Sequence, residues 1–350
     1  MTKRATILDV AKACGLSQAT VARVLNFQTD IQVKEKTRKK VLIAAENIGY
    51  KRNIIAANFR LQKTKNIAIS IADITNPFFP ELIKSIQTKM REYGYSIVQL
   101  NNEWDPKIEQ ENFQYMMQTR VDGAIISPAH LKTNFESLGN MPFVVLTNST
   151  RFSDHDTIAN DSRTGMNLAL KKLFELGHRR IALLTGGSML SGSSWRTDAI
   201  KGFYAQQNMT FPDDLNIKCD IGESSLASFA KARNSVLNFF ASGINVSAIF
   251  ASNDILAIAA LHAANERGIN VPKELSVVGM DGILSGEISY PTLTTVEKNR
   301  SEIGSLAAEI LIKKINNPLN WQTKNILLPC KLIERGSTGP VQKRYTVIDT

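Results

Sequence analysis

The stretch Thr6–Asn26, TILDVAKACGLSQATVARVLN, decides how the N-terminal region of this chain folds. Its first apolar residues recur with the spacing of one helical face, and Gly15 then ends that helix. Ser17 provides an N-cap for a second helix, whose apolar residues repeat the same spacing. A third apolar stripe follows over residues 41–48. Two short helices joined by a glycine turn and braced by a third predict a helix-turn-helix headpiece over residues 1–50.

The charge of the chain is concentrated around this headpiece. The 350 residues carry a formal net charge of +10, and residues 1–65 hold 14 Lys and Arg side chains against 4 Asp and Glu side chains. The remaining residues hold 28 side chains of each sign. A basic segment that also has helical apolar patterning favours a module that binds a polyanion, joined to a body without net charge.

Composition excludes several classes of protein. A hydrophobic content of 43% excludes wholesale disorder. No apolar run reaches the roughly 18–20 residues of a membrane span, and the N-terminus does not have the pattern of a secretion signal. The three cysteines are far apart and odd in number, which fits neither a disulfide framework nor paired zinc ligands. We therefore expect a cytoplasmic protein with no membrane partner.

Motifs for catalysis and cofactor binding are missing from the sequence. There is no Walker A motif, zinc-protease motif or nucleophile elbow, and the glycines of residues 185–193 do not match the dinucleotide fingerprint. The four histidines are scattered without the spacing of metal ligands. We therefore expect no cofactor, no metal and no enzymatic activity.

The outward side of the second predicted helix has residue types that read DNA. Gln18 can pair with the edge of adenine, Arg23 can pair with O6 and N7 of guanine, and Ala19 and Ala22 can contact a thymine methyl group. Such side chains on one helical face suit the major groove. The alternative interpretation is a solvated helix face without a partner.

The string at Thr6–Asn26 resembles the opening of LacI/GalR-family transcriptional regulators. This resemblance implies base-reading positions for Gln18, Ala19 and Arg23, and a phosphate-contacting position for Thr20. Further DNA contacts are expected from Thr6, Ser17, Asn26, Asn53 and Ala56.

Residues 51–65 resemble the hinge helix of the same family. The resemblance implies that one such helix from each subunit of a dimer enters the minor groove, where a leucine wedges between base pairs. Here Phe59 takes the wedge position, and Arg52 replaces the usual proline. Phenylalanine is among the side chains that unstack base pairs in this way. In the alternative, Phe59 packs against the core of the body.

From residue 66 onward, short β-rich runs alternate with amphipathic helices. We predict strands over residues 66–72, 96–100, 123–127, 143–147, 180–184, 248–251 and 276–280. We predict helices over residues 79–93, 106–119, 162–176, 195–207, 225–241, 254–267 and 300–316. This alternation predicts an α/β fold with parallel, doubly wound sheets, and the length of the body favours two lobes over one.

The family resemblance continues through the body in the blocks ADITNPFFPEL, RVDGAIIS, AIFASNDILAIAAL and VPKELSVVGMDG. It implies that residues 66–340 form two Rossmann-like lobes, similar to periplasmic sugar-binding proteins and connected by three crossings of the chain. The expected first lobe covers residues 66–160 and 293–324, and the expected second lobe covers residues 161–292 and 325–340. We expect residues 341–350 to form a short tail.

Polar and aromatic residues fall near the carboxyl ends of several strands, which is where open α/β sheets bind ligands. The predicted effector contacts are Asp73, Asn76, Phe78, Phe79, Asn148, Arg196, Asn253 and Asp281. Aromatic rings can stack on a sugar ring, while carboxylates and amides bind hydroxyl groups. The resemblance assigns Arg196, Asn253 and Asp281 to the effector. As alternatives, Asn253 and Asp281 can serve helix capping and turns, and one of the two phenylalanines can belong to the core.

Together the residues and the resemblance favour a sequence-specific DNA-binding transcriptional regulator, and we expect a repressor. The expected partners are pseudo-palindromic operator DNA, a second copy of the chain in a homodimer, and a small-molecule effector between the lobes. We expect this effector to be a sugar, a sugar phosphate or a sugar acid. The alternative function is a sugar-binding or sugar-processing protein on the same architecture, without specific DNA recognition.

Overall fold

The computed structural model describes residues 5–25, 33–51, 63–187, 194–220 and 224–342. The chain forms two compact units, Met1–Thr64 and Lys65–Thr350, which we call the headpiece and the body. Among the described residues, each unit has hydrophobic clusters of its own, so each unit has its own core.

Local capping interactions define the helices of the headpiece. Its described helices are α1 (Ile7–Cys14), α2 (Gln18–Leu25) and α3 (Glu35–Asn47). The Thr6 hydroxyl accepts from the Asp9 backbone and the Asp9 carboxylate accepts from the Thr6 backbone, which forms a capping box for α1. Gly15 ends this helix in the left-handed conformation, with φ of 61°. The Ser17 hydroxyl accepts from the Thr20 backbone at 3.2 Å and starts α2.

One valine from each helix lies at the centre of the headpiece core. Val10, Val21 and Val41 have no solvent exposure. Lys34 precedes α3 and makes no side-chain capping hydrogen bond. The packing of the three apolar faces therefore stabilises this small unit more than the start of its third helix does.

The first lobe of the body contains a six-stranded parallel sheet. Its strands, in spatial order, are β11 (Asn325–Leu328), β5 (Thr157–Asn160), β4 (Phe143–Leu146), β3 (Gly123–Ile126), β1 (Asn66–Ile71) and β2 (Ser96–Asn101). Helices α4 (Phe78–Glu92) and α11 (Arg300–Asn316) cover one face, and α5 (Pro106–Gln118) covers the other. Buried isoleucines of β1 pack against the first pair of helices.

The second lobe contains another six-stranded sheet. Its strands, in spatial order, are β12 (Lys331–Ile333), β10 (Thr294–Glu297), β9 (Ser276–Asp281), β8 (Ala248–Ala251), β6 (Ile181–Gly187) and β7 (Asn216–Asp220). All neighbours are parallel except β12, which is antiparallel to β10. Its described helices are α6 (Ser162–Glu175), α7 (Ser194–Gln206), α8 (Ser225–Ala241), α9 (Asp254–Glu266) and α10 (Leu284–Glu287). The three-helix headpiece and the two doubly wound lobes that we predicted are thus both present.

The chain crosses between the lobes after β5, after β10 and after β11. The predicted second and third crossings are each misplaced by a few residues, although α11 lies on the first lobe and β12 in the second, as expected. Residues 293–324 were expected in the first lobe, but β10 pairs with β9 in the second sheet. Residues 325–340 were expected in the second lobe, but β11 pairs with β5 in the first sheet. A strand of four residues contains no local signal for the sheet it joins, because partners distant in sequence determine that choice.

Five short strands were not predicted: β5, β7, β10, β11 and β12. Each has between three and five residues, and three of them lie at sheet edges. Runs this short do not show a clear alternation of apolar and polar residues. They are strands because neighbouring strands bind them by hydrogen bonds, and local sequence pattern does not reveal them. Within the described residues, no helix has the length and apolar character needed to cross a bilayer.

Candidate DNA-binding and effector sites

Helix α2 has one apolar face and one polar face. Val21 and Val24 are buried in the headpiece core, whereas Gln18, Ala19 and Arg23 are exposed. The three side chains predicted to read bases therefore lie on the solvent side of one short helix. A helix that enters a major groove needs this arrangement.

Three predicted DNA-contacting hydroxyl groups lie at the starts of helices. The Thr6 hydroxyl donates to Asp9 at 2.7 Å, and the Ser17 and Thr20 hydroxyls lie 2.8 Å apart. These hydrogen bonds give the side chains a role in folding. Contact with DNA remains a prediction for all three, and contact with phosphate remains one for Thr20.

The described headpiece residues also present many exposed cations. Exposed Lys and Arg residues outside α2 include Lys12, Lys34, Lys36, Arg38, Lys39 and Lys40. Exposed cations of this kind can bind phosphates regardless of base sequence. Asn26, Asn53, Ala56 and Phe59 lie outside the described residues, as does most of the segment 51–65. The hinge helix and its wedge therefore stay predictions.

In the body, the two lobes contact each other beyond the carboxyl end of β1. The Asp73 carboxylate accepts from the backbone and the hydroxyl of Thr75, at 2.7 and 2.6 Å. Ser225, at the start of α8 in the second lobe, donates its backbone N–H to the Thr75 hydroxyl at 2.9 Å. Its own hydroxyl donates to Asp73 at 3.4 Å. Asp73 therefore joins the lobes directly.

A second contact between the lobes surrounds Asp281, at the end of β9. Its φ of 130° is one that L residues rarely adopt, and its carboxylate accepts from the Lys298 ammonium at 2.8 Å. The Arg300 guanidinium donates to the carbonyls of Asp281 and Gly282 and to the Glu81 carboxylate of the first lobe, the last at 2.7 Å. Arg300 thus holds an unusual backbone in place and connects it to the other lobe.

Asp254 lies beneath this contact and is fully buried. Its carboxylate accepts from the Thr295 hydroxyl at 2.6 Å and from the Ile283 backbone at 2.8 Å. Burial, together with the nearby negative charge of Asp281, raises the pKa of Asp254 to about 6. Gly279 makes room for the carboxylate, because a Cβ atom there would lie 2.2 Å from its Oδ1 atom.

Arg196, on α7, approaches the same region. Its guanidinium lies over the Trp195 ring, 4.5 Å from the ring centroid. Burial lowers the pKa of Arg196 to about 10, and the negative charge of Asp281 opposes this shift. Two cationic side chains, Arg196 and Lys298, are therefore close to one carboxylate.

Asn253 caps α9, as the structural alternative proposed. Its side-chain oxygen accepts from the Leu256 backbone at 2.9 Å. The amide nitrogen takes no part in this cap, and the residue is partly exposed. Capping therefore does not prevent the other end of the amide from binding a ligand.

The two phenylalanines of the ADITNPFFPEL block have different environments. Phe79 is 7% exposed and lies in the core of the first lobe, so we assign it to the core and no longer to the effector site. Phe78 is partly exposed, and the Lys298 ammonium lies 5.4 Å from its ring centroid. Asn76 accepts from the Phe78 backbone at 3.0 Å and positions this turn. Asn148 is exposed in the loop after β4.

Five residues of this region were not predicted from sequence: Thr75, Ser225, Asp254, Lys298 and Arg300. Lys298 and Arg300 follow a strand that was not predicted, so the rule that ligands lie beyond strand ends did not reach them. Thr75 was detectable in principle, since it lies two residues after Asp73, a spacing typical of a local side-chain turn. Across the described ranges, the structure contains no cluster of three or more His, Cys, Asp or Glu side chains suited to a metal ion.

Comparison with known proteins covers both units of the chain. A family model described as "Bacterial regulatory proteins, lacI family" matches residues 6–53, and one described as "Periplasmic binding protein-like domain" matches residues 170–338. The chain is 33% identical to the HTH-type transcriptional regulator DegA of Bacillus subtilis (strain 168), with 97% of this chain and 99% of that protein covered. The chain belongs to the LacI family.

Two further similarities agree with this LacI-family membership. The chain is 29% identical to the ribose operon repressor of Escherichia coli (strain K12), over 95% of this chain and 99% of that protein. Its fold is similar to that of the lac repressor dimer bound to operator and the anti-inducer ONPF, with a TM-score of 0.84 and 23% identity over 96% of this chain and 100% of that one. These relatives are regulators, so this LacI-family chain is a DNA-binding transcriptional regulator and not an enzyme.

Proposed function

We propose that this LacI-family regulator binds a pseudo-palindromic operator as a homodimer and represses transcription under the control of a carbohydrate effector. The observation that carries the proposal is the exposed face of Gln18, Ala19 and Arg23, within the segment that contains the whole excess charge of +10. The similarity to the ribose operon repressor supports repression. Binding to chromosomal DNA would place this activity in the cytoplasm.

Sequence would be read by α2 and affinity would come largely from phosphates. Arg23 can donate two hydrogen bonds to guanine, and Gln18 can pair with adenine. The exposed lysines of the headpiece would release counterions from the duplex, so binding should weaken steeply as salt concentration rises. Two headpieces related by the dimer axis would meet half-sites about one helical turn apart, or a multiple of that spacing.

The effector would bind between the lobes, where Asp73, Phe78, Arg196, Asn253 and Asp281 provide a ring, acceptors and donors. A polyol matches such mixed groups better than a hydrophobic molecule does. Because Ser225 and Arg300 already connect the lobes there, a ligand in this cleft would change the relative stability of open and closed lobes. Coupling of this kind typically amounts to about 1–3 kcal/mol.

An exposed apolar surface on the second lobe supports the proposed homodimer. Leu284, Ile288 and Tyr290 are 68%, 75% and 100% exposed, and the last two border a groove of about 240 Å³ that also contains His262. Large exposed apolar side chains beside a groove favour association with another protein surface. We take a second copy of this chain as the occupant, since the similar lac repressor structure is a dimer.

The DNA-binding proposal is tested with the variant Arg23→Ala. We expect affinity for the promoter fragment that wild type prefers to fall by roughly 5- to 150-fold, because one bidentate base contact contributes about 1–3 kcal/mol of discrimination. Fluorescence anisotropy against preferred and scrambled duplexes measures this loss. Arg91→Ala, which removes an exposed arginine from α4, is the matched control and should bind like wild type. A wild-type protein without preference for any promoter fragment, with or without metabolites, would contradict the proposal.

A further inference from the structure

Lys298 lies at the centre of the proposed effector cleft. Its side chain is 17% exposed, and its ammonium donates to the Asp281 carboxylate at 2.8 Å. The same ammonium faces the Phe78 ring of the first lobe at 5.4 Å from the centroid. One cation therefore contacts two of the groups that were predicted to hold the effector.

The ammonium has more donors than the described protein groups use. An ammonium group has three N–H donors. Among the residues that the structure describes, Asp281 is the one acceptor within hydrogen-bond distance of the Lys298 ammonium. A partly buried ammonium gains most from a further acceptor when that acceptor carries negative charge, since the surrounding medium screens the attraction less than water does.

The charges near the Lys298 ammonium leave room for a further anion. Arg196 adds a second cation near Asp281. Asp254 is the other nearby carboxylate, but both of its oxygens accept from Thr295 and Ile283 and it has no solvent exposure. A ligand that reaches Asp281 in the cleft would thus also meet two cations, Lys298 and Arg196.

We propose that Lys298 is the specificity-determining residue that makes this regulator select an effector with a carboxylate or phosphate group. The inference rests on the proposed function, because it concerns the same cleft. The anionic group of the ligand would accept from Lys298 on the side away from Asp281, while its hydroxyls would contact Asp281 and Asn253. A neutral sugar could also accept a hydrogen bond from the Lys298 ammonium, but it has no negative charge to attract this cation. It would therefore bind more weakly than an anionic sugar.

The test compares ligands that differ in their anionic group. Isothermal titration calorimetry on the full chain uses ribose with ribose 5-phosphate, and glucose with gluconate and glucose 6-phosphate. The variants are Lys298→Met, which removes the charge, and Lys298→Arg, which keeps it. The control is Lys273→Met, which removes an exposed lysine of the same lobe outside the cleft.

We expect wild type to bind at least one anionic ligand roughly 10- to 100-fold more tightly than its neutral counterpart, in line with one charge-assisted contact. Lys298→Met should lose this preference, while Lys298→Arg and Lys273→Met should keep it. The phosphate and gluconate arms show which anionic group is preferred. Equal binding of neutral and anionic ligands by wild type, or an unchanged preference in Lys298→Met, would overturn the proposal.

If no sugar in the panel binds wild type, inorganic phosphate serves as the probe. Its effect on the thermal unfolding midpoint is measured against sodium chloride at equal ionic strength. A phosphate-specific increase that disappears in Lys298→Met but not in Lys273→Met supports the proposal, and an increase that is absent or equal in all variants overturns it. Wild-type binding to the promoter is measured on the same preparation. If wild type does not bind the promoter, the result counts against the proposed function. If wild type binds the promoter but shows no preference for anions, the result counts against the role of Lys298 alone.

Discussion

The carboxylate of Asp254 shows how single side chains connect the parts of the cleft. It lies at the start of α9, yet it accepts hydrogen bonds from residues that follow β9 and lie in β10. Its full burial makes the charged form costly, and both hydrogen bonds offset part of that cost. Asp281 differs, because a lysine and two arginines surround its carboxylate and backbone. Asp254 therefore serves the fold, whereas Asp281 is a carboxylate that we propose faces the effector.

The raised pKa of Asp254 predicts a pH-dependent difference between wild type and Asp254→Asn. The folded protein binds this proton more tightly than the unfolded chain, so stability from this group is present below the unfolded pKa of 3.8 and is lost as pH rises towards about 6. From pH 4 to pH 7, Asp254→Asn should gain on wild type by up to about 3 kcal/mol in the free energy of unfolding. Unfolding midpoints across this pH range measure the change. A constant difference between the two proteins would contradict it.

Among the elements, α11, the last long helix of the chain, packs on the first lobe by crossing α4. Their crossing depends on Gly304, where a Cβ atom would lie 2.8 Å from the Leu82 carbonyl oxygen and 2.9 Å from the Ser85 side chain. The Ser85 hydroxyl also donates to the Ser301 carbonyl at 2.5 Å. Since α11 begins at Arg300, this crossing also sets the position of the guanidinium that connects the two lobes.

The same substitution at two helical glycines should have opposite effects. Gly304→Ala should destabilise the body by about 1–3 kcal/mol, because the added methyl group overlaps a backbone carbonyl that cannot easily move. Gly202→Ala, in α7, should stabilise it by about 0.5–1 kcal/mol, since no atom outside the local helix backbone lies within 4 Å of the added carbon and alanine favours the helix. Thermal unfolding of both variants checks the signs. Two variants of equal stability would show that the close crossing does not matter.

For the whole molecule, the important contacts are those between lobes and between copies. Among the described residues, hydrogen bonds between the lobes join Ser225 to Thr75 and Asp73 on one side, and Arg300 to the Asp281 and Gly282 carbonyls on the other. Polar contacts of this kind can break without exposing a hydrophobic core. The lobes can therefore change their orientation while each sheet stays intact, which regulation by a bound ligand requires.

The proposed homodimer depends on the surface around Tyr290. Tyr290→Asp should shift the chain from dimer to monomer in sedimentation velocity, because a carboxylate in an apolar interface loses its hydration without gaining a partner. Leu319→Asp is the matched control, since Leu319 is 95% exposed but lies on a different part of the body. The control should remain dimeric. A dimer that persists in Tyr290→Asp would place the interface elsewhere.

The headpiece could be predicted almost completely from sequence, whereas the lobes could be predicted only as a class. Thr6, Gly15 and Ser17 determine helix ends through contacts within a few residues, so the sequence alone predicts where these helices begin and end. The alternation of strands and helices likewise indicates an α/β body. The effector region stays a prediction, and local pattern could point to Asp73 and Asp281 because both follow strands that it reveals.

The tertiary structure alone decided which sheet β10 and β11 join, that Phe79 belongs to the core, and that Lys298 reaches Asp281. These features depend on partners that are distant in sequence or lie on neighbouring strands, and a short strand looks the same whichever sheet accepts it. Amino-acid order determined the helices, the charge asymmetry and the fold class, because backbone preference, capping and charge are local properties. Packing determined the site, because side chains meet there only after the sheets have formed.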